Sequence, residues 1–435
     1  MERTNQPKPI KIVSAITRDG MLVETIQNGP EEKTVFAVSH DGSVSVQPDW
    51  SDDGIRYVPI AATHNLIRHK AIKLPPAPQE YESAEALIAE IAAYGSRYVA
   101  LSPEFATVAA TYVLLSWVYD AFNELPYLRF RGNYGSGKTR ALIVFGSLAY
   151  KGFFASGAST VSPIFHTLDR FQGTLIFDEA DFRFTDEKAE LVKILNNGNI
   201  KGFSVLRTQV GPSKEFEPRA YSVFGPKIVA MRGAYQDKAL ESRFLTEEMS
   251  GRTLPPGLPI SLPAEQEAEA RALRAKLLMY RFRERFRVAV EPDLADSALE
   301  PRLNQILLPL LSIAPTVDVV ETIWSYAERM QVGALADRSG SMEGQVLVVI
   351  AASMLAEKGS TLPIQGIVRD FEERFGNEYD RPVTSRQVSN IVRTRLSLPV
   401  YKTNGVMAVS LKDRDRLAAI FKYYGIADDE WKRTV

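Results

Sequence analysis

The residues with the clearest chemistry are Gly132-Asn133-Tyr134-Gly135-Ser136-Gly137-Lys138-Thr139, set between a strand-like run, Tyr127-Leu128-Arg129-Phe130, and a helix-like one, Ala141-Leu142-Ile143-Val144. Glycines here let successive backbone N–H groups turn toward phosphate oxygens with no Cβ in the way, and the helix that starts at the loop adds its positive end. Lys138 supplies a cation for the β- and γ-phosphates, and Thr139 offers a hydroxyl to Mg²⁺. The spacing predicts a nucleoside triphosphate site, taking ATP and Mg²⁺, lined by Gly132 through Thr139 and by Arg140 on the same first turn.

Phosphate chemistry needs carboxylates as well, and Thr174-Leu175-Ile176-Phe177-Asp178-Glu179 is an apolar run ending in two. Such a run reads as a buried parallel strand that delivers acids to the C-terminal edge of a sheet, where open α/β sheets bind ligands. Asp178 is then the Mg²⁺ partner beside Thr139, and Glu179 the group that orients and deprotonates the attacking water. Hydrolysis is the expected outcome, rather than nucleotide binding alone. Residues 178–181 spell Asp-Glu-Ala-Asp, the signature of two-lobed RNA helicases, but only 40 positions separate Lys138 from Asp178 and no second alternating strand and helix core follows residue 250. Asp181 is expected to be a surface or supporting acid.

The elements that must position these groups belong to a chain of 435 residues, long enough for two or three domains. Lys plus Arg number 52 and Asp plus Glu 53, so no global basic field exists and any nucleic-acid contact must come from local patches. The chain has no cysteine, and its four histidines are scattered without ligand spacing, which excludes disulfides and thiolate metal centres. Neither the first residues nor Phe105–Val118 has the apolar length of an export signal or a membrane span, so a cytoplasmic protein with no membrane partner is expected.

The pattern divides the chain into 1–80, a small β-rich N-terminal domain and linker; 81–335, an ATPase core with a helical lid; and 340–435, a last domain. Short β-like runs near Ile12, Met21 and Thr34 alternate with Asp-Gly and Asn-Gly turns, and Leu74-Pro75-Pro76-Ala77-Pro78 is a stiff linker. The role of this first domain stays open between collecting substrate, docking a protein and plain packing. In the core, 202–207 pairs with 219–223 as a hairpin, and Lys227–Ala230 is a further strand of a parallel sheet of about five strands. The basic lid helix 271–287 reads as a solvated face.

The cradle, the Asp178-Glu179 strand, the inserted hairpin and Ala239-Leu240-Glu241-Ser242-Arg243-Phe244 together resemble the AAA+ ring helicases, nearest to the minichromosome-maintenance type and the superfamily III-like helicases of mobile elements and phages. The likeness covers about residues 82–330. It implies an α/β fold with a P-loop AAA+ core, and a homo-oligomer, a hexamer, in which Arg243 is the finger inserted at a neighbour's γ-phosphate. It also implies that Lys214, at the hairpin tip, touches the DNA backbone in the ring channel, and that Arg302 senses the nucleotide. One departure stands out: where the family places a small polar sensor at the end of its fourth strand, this chain has Val229-Ala230-Met231-Arg232. Either Arg232 takes that task or the register is shifted, with Asn196 and Asn197 as substitutes.

Residues 343–425 show three helical patterns and then two strands joined through Asn404-Gly405, an arrangement that resembles a winged helix. Arg381, Arg386, Arg393, Arg395, Lys402 and Lys412 fall in a stretch without an acid. Arg386, Gln387 and Asn390 share one face of a helix expected over 384–398, and with Arg393 and Lys402 form the candidate DNA contacts. The sequence as a whole predicts an ATP-dependent DNA helicase or translocase acting as a ring oligomer in DNA replication, of a mobile element or phage. The alternative is a DNA-binding ATPase switch or loader that does not unwind.

Overall fold

The structure, a computed structural model, describes residues 8–29, 32–178, 185–210, 215–251, 255–356, 360–403 and 405–431, with only the backbone considered over 185–188. The chain divides into two compact units, Met1–Ala327 and Glu328–Val435.

The first unit begins with short strands: β1 (Ile10–Ile12), β2 (Ser14–Ile16), β3 (Leu22–Asn28), β4 (Lys33–His40), β5 (Ser43–Gln47), β6 (Trp50–Asp52) and β7 (Ile55–Pro59). β2-β3-β4-β5 form an antiparallel meander, and β1-β7-β6 a second small sheet. The Asp41-Gly42 turn between β4 and β5 has φ of 46° and 78° at its two residues. Both residues are left-handed, as a two-residue hairpin requires.

Helices α1 (Asn65–Arg68), α2 (Ala84–Tyr98) and α3 (Pro103–Val118) lead into the core. Ser83 Oγ accepts from Ala86 N at 3.0 Å and Ser102 Oγ from Phe105 N at 3.3 Å, two N-caps that fix where α2 and α3 start. From Phe105 onward nearly every side chain of α3 is buried, which accounts for its apolar composition.

The core follows as β8 (Tyr127–Arg131), α4 (Lys138–Gly146), β9 (Phe153–Ser156), α5 (Val161–Phe171), β10 (Leu175–Asp178), α6 (Thr185–Asn197), β11 (Ser204–Val210), β12 (Phe216–Ser222), β13 (Lys227–Met231), α7 (Lys238–Glu241) and β14 (Phe244–Glu248). Five strands pair in parallel in the order β14-β8-β13-β10-β9. The inner strands β8, β13 and β10 are buried along nearly their whole length rather than on alternate residues, with Arg129 and Lys227 among the residues enclosed. The α/β class expected from the sequence, with the glycine-rich loop following a strand of a parallel sheet, is the one observed. β11 and β12 pair separately as an antiparallel ribbon.

α8 (Ala264–Glu284), α9 (Pro301–Leu311) and the first part of α10 (Val317–Ser339) complete the unit. Here the expectation of a solvated basic face needs correction. Arg274 and Arg281 of α8 are 3% and 2% exposed, because α8 packs on α2 and α3 and turns these guanidinium groups inward onto acids and carbonyls. Among the described residues no helix is long and apolar enough to cross a membrane.

The second unit holds α11 (Met342–Leu355), β15 (Thr361–Pro363), α12 (Ile364–Phe375), α13 (Ser385–Asn390), β16 (Val400–Thr403), β17 (Val406–Ser410) and α14 (Arg414–Tyr423). Its strands make a small antiparallel sheet, β15-β17-β16, over a core that includes Val346, Ile350, Phe371, Val392 and Phe421. The helix expected over 384–398 keeps α geometry only to Asn390. Residues Ile391–Arg395 continue as a π turn, and Ser397 is left-handed at φ 53°.

Candidate nucleotide site

The loop after β8 is shaped by its glycines. Gly135 and Gly137 have φ of 72° and 87°, the left-handed region where a Cβ is costly, and Gly137 is the N-cap of α4. A Cβ at Gly132 would lie 2.8 Å from Ser136 Oγ and 2.9 Å from Ser250 Oγ, so only glycine fits. Ser250 Oγ also accepts from Asn133 N at 2.8 Å, and Gly132 N donates to Met231 O at 3.2 Å. The loop is thereby fastened to the ends of both strands beside β8.

Inside this cradle Lys138 is 7% exposed, and its Nζ donates to Asn133 O at 2.6 Å. Burial lowers its pKa and the nearby Arg232 lowers it further, against an opposing pull from Asp178. An ammonium held in that state gains from any anion that arrives. Thr139 Oγ1 donates to Asp178 Oδ2 at 2.7 Å. β10 runs out at Asp178, in register with Ala230 of β13 and Ser156 of β9, so the carboxylate stands on the sheet's C-terminal edge beside the loop. A hydroxyl and a carboxylate in contact are the hard oxygen donors that Mg²⁺ takes together with phosphate oxygens, and the pair fits such an ion. Glu179 lies outside the described residues.

The remaining loop residues divide by exposure. Tyr134 is 78% exposed, with the Arg232 guanidinium carbon 3.4 Å from its ring centroid. Arg232 immediately follows β13 on the same edge as Asp178. Arg140 turns away from the loop and donates to Pro259 O at 2.6 Å and to Ile260 O.

Arg243 stands at the other edge. Its carbonyl accepts from Tyr127 N at 2.9 Å, where β14 and β8 begin, whereas the cradle follows the end of β8. Five residues of strand span roughly 13 Å, so Arg243 and its own chain's cradle lie at opposite ends of the sheet. Arg243 is half-buried, donates to Asn196 Oδ1, and has a buried Nε without a hydrogen-bond partner among the described residues. Asn196 in turn donates to Asp237 Oδ2 at 3.0 Å. Arg302 joins this group rather than the cradle. Its Nε donates to Ser242 Oγ at 3.3 Å, and burial followed by the Arg243 charge lowers its pKa.

Lys214 lies outside the described residues; the ribbon that carries it is formed by β11 and β12. In the second unit Arg386, Gln387, Asn390, Arg393 and Lys402 are all exposed. Gln387 is also structural: its Oε1 accepts from Thr384 N at 2.9 Å, closing a capping box. Arg395, from the same basic stretch, pairs with Glu343.

Sequence reasoning missed Ser250, which holds the cradle from 117 residues away, and the Tyr134–Arg232 stack. Only the unusual Arg232 at a strand end hinted at the second.

No protein-family model matches the chain, and no curated protein matches it significantly. Among solved structures it is similar to the apo form of the NrS-1 C-terminal region (11% identity, 89% of this chain and 96% of that one, TM-score 0.39). It is also similar to the active helicase Cch of SCCmec type IV (12%, 96% and 82%, TM-score 0.43) and to the JCV helicase (14%, 58% and 61%, TM-score 0.24).

Proposed function

We propose that this chain is an ATP-driven DNA helicase or translocase of the AAA+ ring type, acting in DNA replication of a mobile element or phage. Nucleotide would lie over the loop from Gly132 to Thr139, with Lys138 on its terminal phosphates. Thr139 and Asp178 are the residues that would hold Mg²⁺, which when bound draws charge off the phosphate oxygens. Glu179, next in sequence to Asp178, would take the proton of the attacking water.

The observation that carries this reading is the separation between Arg243 and Lys138 across the sheet. Arg243 has a free buried Nε and no route to its own loop, which is what a finger for a neighbouring copy requires. Arg302 sits beside it and would act on the same neighbour. The working form is then a closed homo-oligomer, a hexamer, with each site completed by two chains. The hairpin tip with Lys214 would contact a DNA strand. The second unit would hold DNA as a winged helix does, through Arg386, Gln387, Asn390, Arg393 and Lys402.

Mixing two inactive variants tests the shared site. Lys138→Ala and Arg243→Ala should each lower phosphate release about 10²- to 10³-fold, and an equimolar mixture should recover measurable turnover at boundaries that pair an intact loop with an intact arginine. A mixture as inactive as its parts, or full activity of Arg243→Ala, overturns the proposal.

A further inference from the structure

A second charged depression lies in the first unit, away from the nucleotide loop. It is a cleft of about 590 Å³ between β1 and β2 on one side and α5 and the base of β12 on the other. Lys11 enters from β1, His166, Asp169 and Arg170 from one face of α5, and Arg219 from β12. Spacings of three and four bring the α5 residues together.

The charges in this cleft are unbalanced. Among the described residues, no carboxylate forms an ion pair with Lys11, Arg170 or Arg219. The Arg219 guanidinium rests on the Tyr221 ring, 5.2 Å from its centroid. Asp169 is the one acid in the lining, and its Oδ1 already accepts from Ser222 N at 2.8 Å. Three cations against one engaged carboxylate stand out in a chain whose formal net charge is −1. Arg56, Arg97 and Arg207 of the same unit are by contrast paired with Asp49, Glu269 and Glu190.

The lining also says what kind of anion fits. Lys11, His166, Arg170 and Arg219 are exposed, so they meet a ligand that stays partly in water. The apolar floor is aliphatic, Val13 and Ile60, and offers no ring for a base to stack on. His166 is engaged edge-on with Tyr221 at 4.5 Å between centroids. Such a groove has cations for phosphates and no aromatic floor on which a base could stack. We propose that it binds the sugar-phosphate backbone of a single nucleic-acid strand, independent of sequence. This assigns the N-terminal strands a part in strand binding, and it requires neither nucleotide nor the second unit.

The test is binding of a fluorescent oligothymidylate to the full chain, without nucleotide, across a salt series. Replacing Lys11, Arg170 and Arg219 together by Gln should weaken binding about tenfold. It should also lower the slope of log affinity against log salt by about 2, since each single-strand phosphate contact contributes about 0.7. Thermal unfolding and binding of an ATP analogue should not change. The single variants Lys11→Gln and Arg170→Gln, both at exposed positions, should each lower the slope by about 0.7 and decide the matter if the triple variant does not fold. Unchanged affinity and slope overturn the proposal, as does loss of duplex binding alone or loss of inorganic phosphate binding alone. Because the oligonucleotide is bound without nucleotide, failure here leaves the ATPase reading untouched, and failure of that reading leaves this one standing.

Discussion

Around Glu24 buried charged side chains are matched by opposite charges, whereas Lys138 and its neighbour Arg232 are joined to no acid by an ion pair among the described residues. Glu24, Lys151 and Arg281 have side chains 1%, 0% and 3% exposed. Glu24 Oε1 accepts from Tyr150 OH at 2.7 Å and from Arg281 Nε at 2.8 Å, while Lys151 Nζ lies 3.0 Å from its other oxygen. Lys151 also donates to Ser14 Oγ at 2.7 Å, and Arg281 to Trp117 O at 2.6 Å and to both oxygens of Asp120. Five segments meet there: β2, β3, the turn after α4, the end of α3, and α8. In the cradle the ammonium of Lys138 has a backbone carbonyl for company, and Arg232 has an aromatic face in place of an acid. A cluster whose partners are complete holds segments together; one left short of anions is prepared to receive them.

The contrast breaks most visibly at Arg281. Arg281→Met leaves Glu24 and Asp120 buried without their shared cation, and should cost about 3–5 kcal/mol of unfolding free energy in a denaturant titration. The same replacement at Lys138 should leave the unfolding midpoint where it was, because the cradle contributes binding rather than cohesion. If Lys138→Met destabilises as much as Arg281→Met, the two clusters are of one kind.

A second difference concerns acid. Burial pushes the Asp120 carboxyl up, but the guanidinium groups of Arg281 and Arg285 outweigh it and bring the pKa down to about 2 from 3.8. A carboxylate with a depressed folded pKa stabilises the fold above its unfolded value, and that contribution is lost as pH falls from about 4 through about 2. The gap corresponds to about 2 kcal/mol. Arg285→Met should shrink the gap, so that stability measured by circular dichroism between pH 4 and pH 2 falls less steeply than in the parent chain. An unaltered slope would detach Asp120 from the sealed cluster.

The two clusters also differed in how far the sequence revealed them. The cradle was legible because eight consecutive residues carry it, and the parallel sheet because its strands read as short apolar runs ended by turns or acids. The Glu24 network joins residues up to 257 positions apart, and nothing local marks Glu24 in an alternating strand or Arg281 in a basic helix as buried. The arginines of α8 therefore read as solvated, although tertiary packing turns two of them inward. Ser250 escaped notice for the same reason, since its contact with the loop follows from strand order and not from spacing.

The smallest expected effect probes the open cluster directly. Arg232 rests on Tyr134, and a cation over an exposed aromatic face is worth about 0.5–1 kcal/mol. A terminal phosphate offers the same guanidinium a charge-assisted hydrogen bond, worth about 1.5–3 kcal/mol. Binding of a triphosphate then has to draw Arg232 off the ring, and the ring's hold is subtracted from the affinity. Tyr134→Ala removes that competitor, so triphosphate affinity measured by displacement of a fluorescent analogue should rise about two- to fivefold. Tyr134→Phe keeps the aromatic face and should leave affinity unchanged. Weaker binding by Tyr134→Ala would mean that the ring itself contacts nucleotide, and Arg232 would then be less free than the contrast with Glu24 requires.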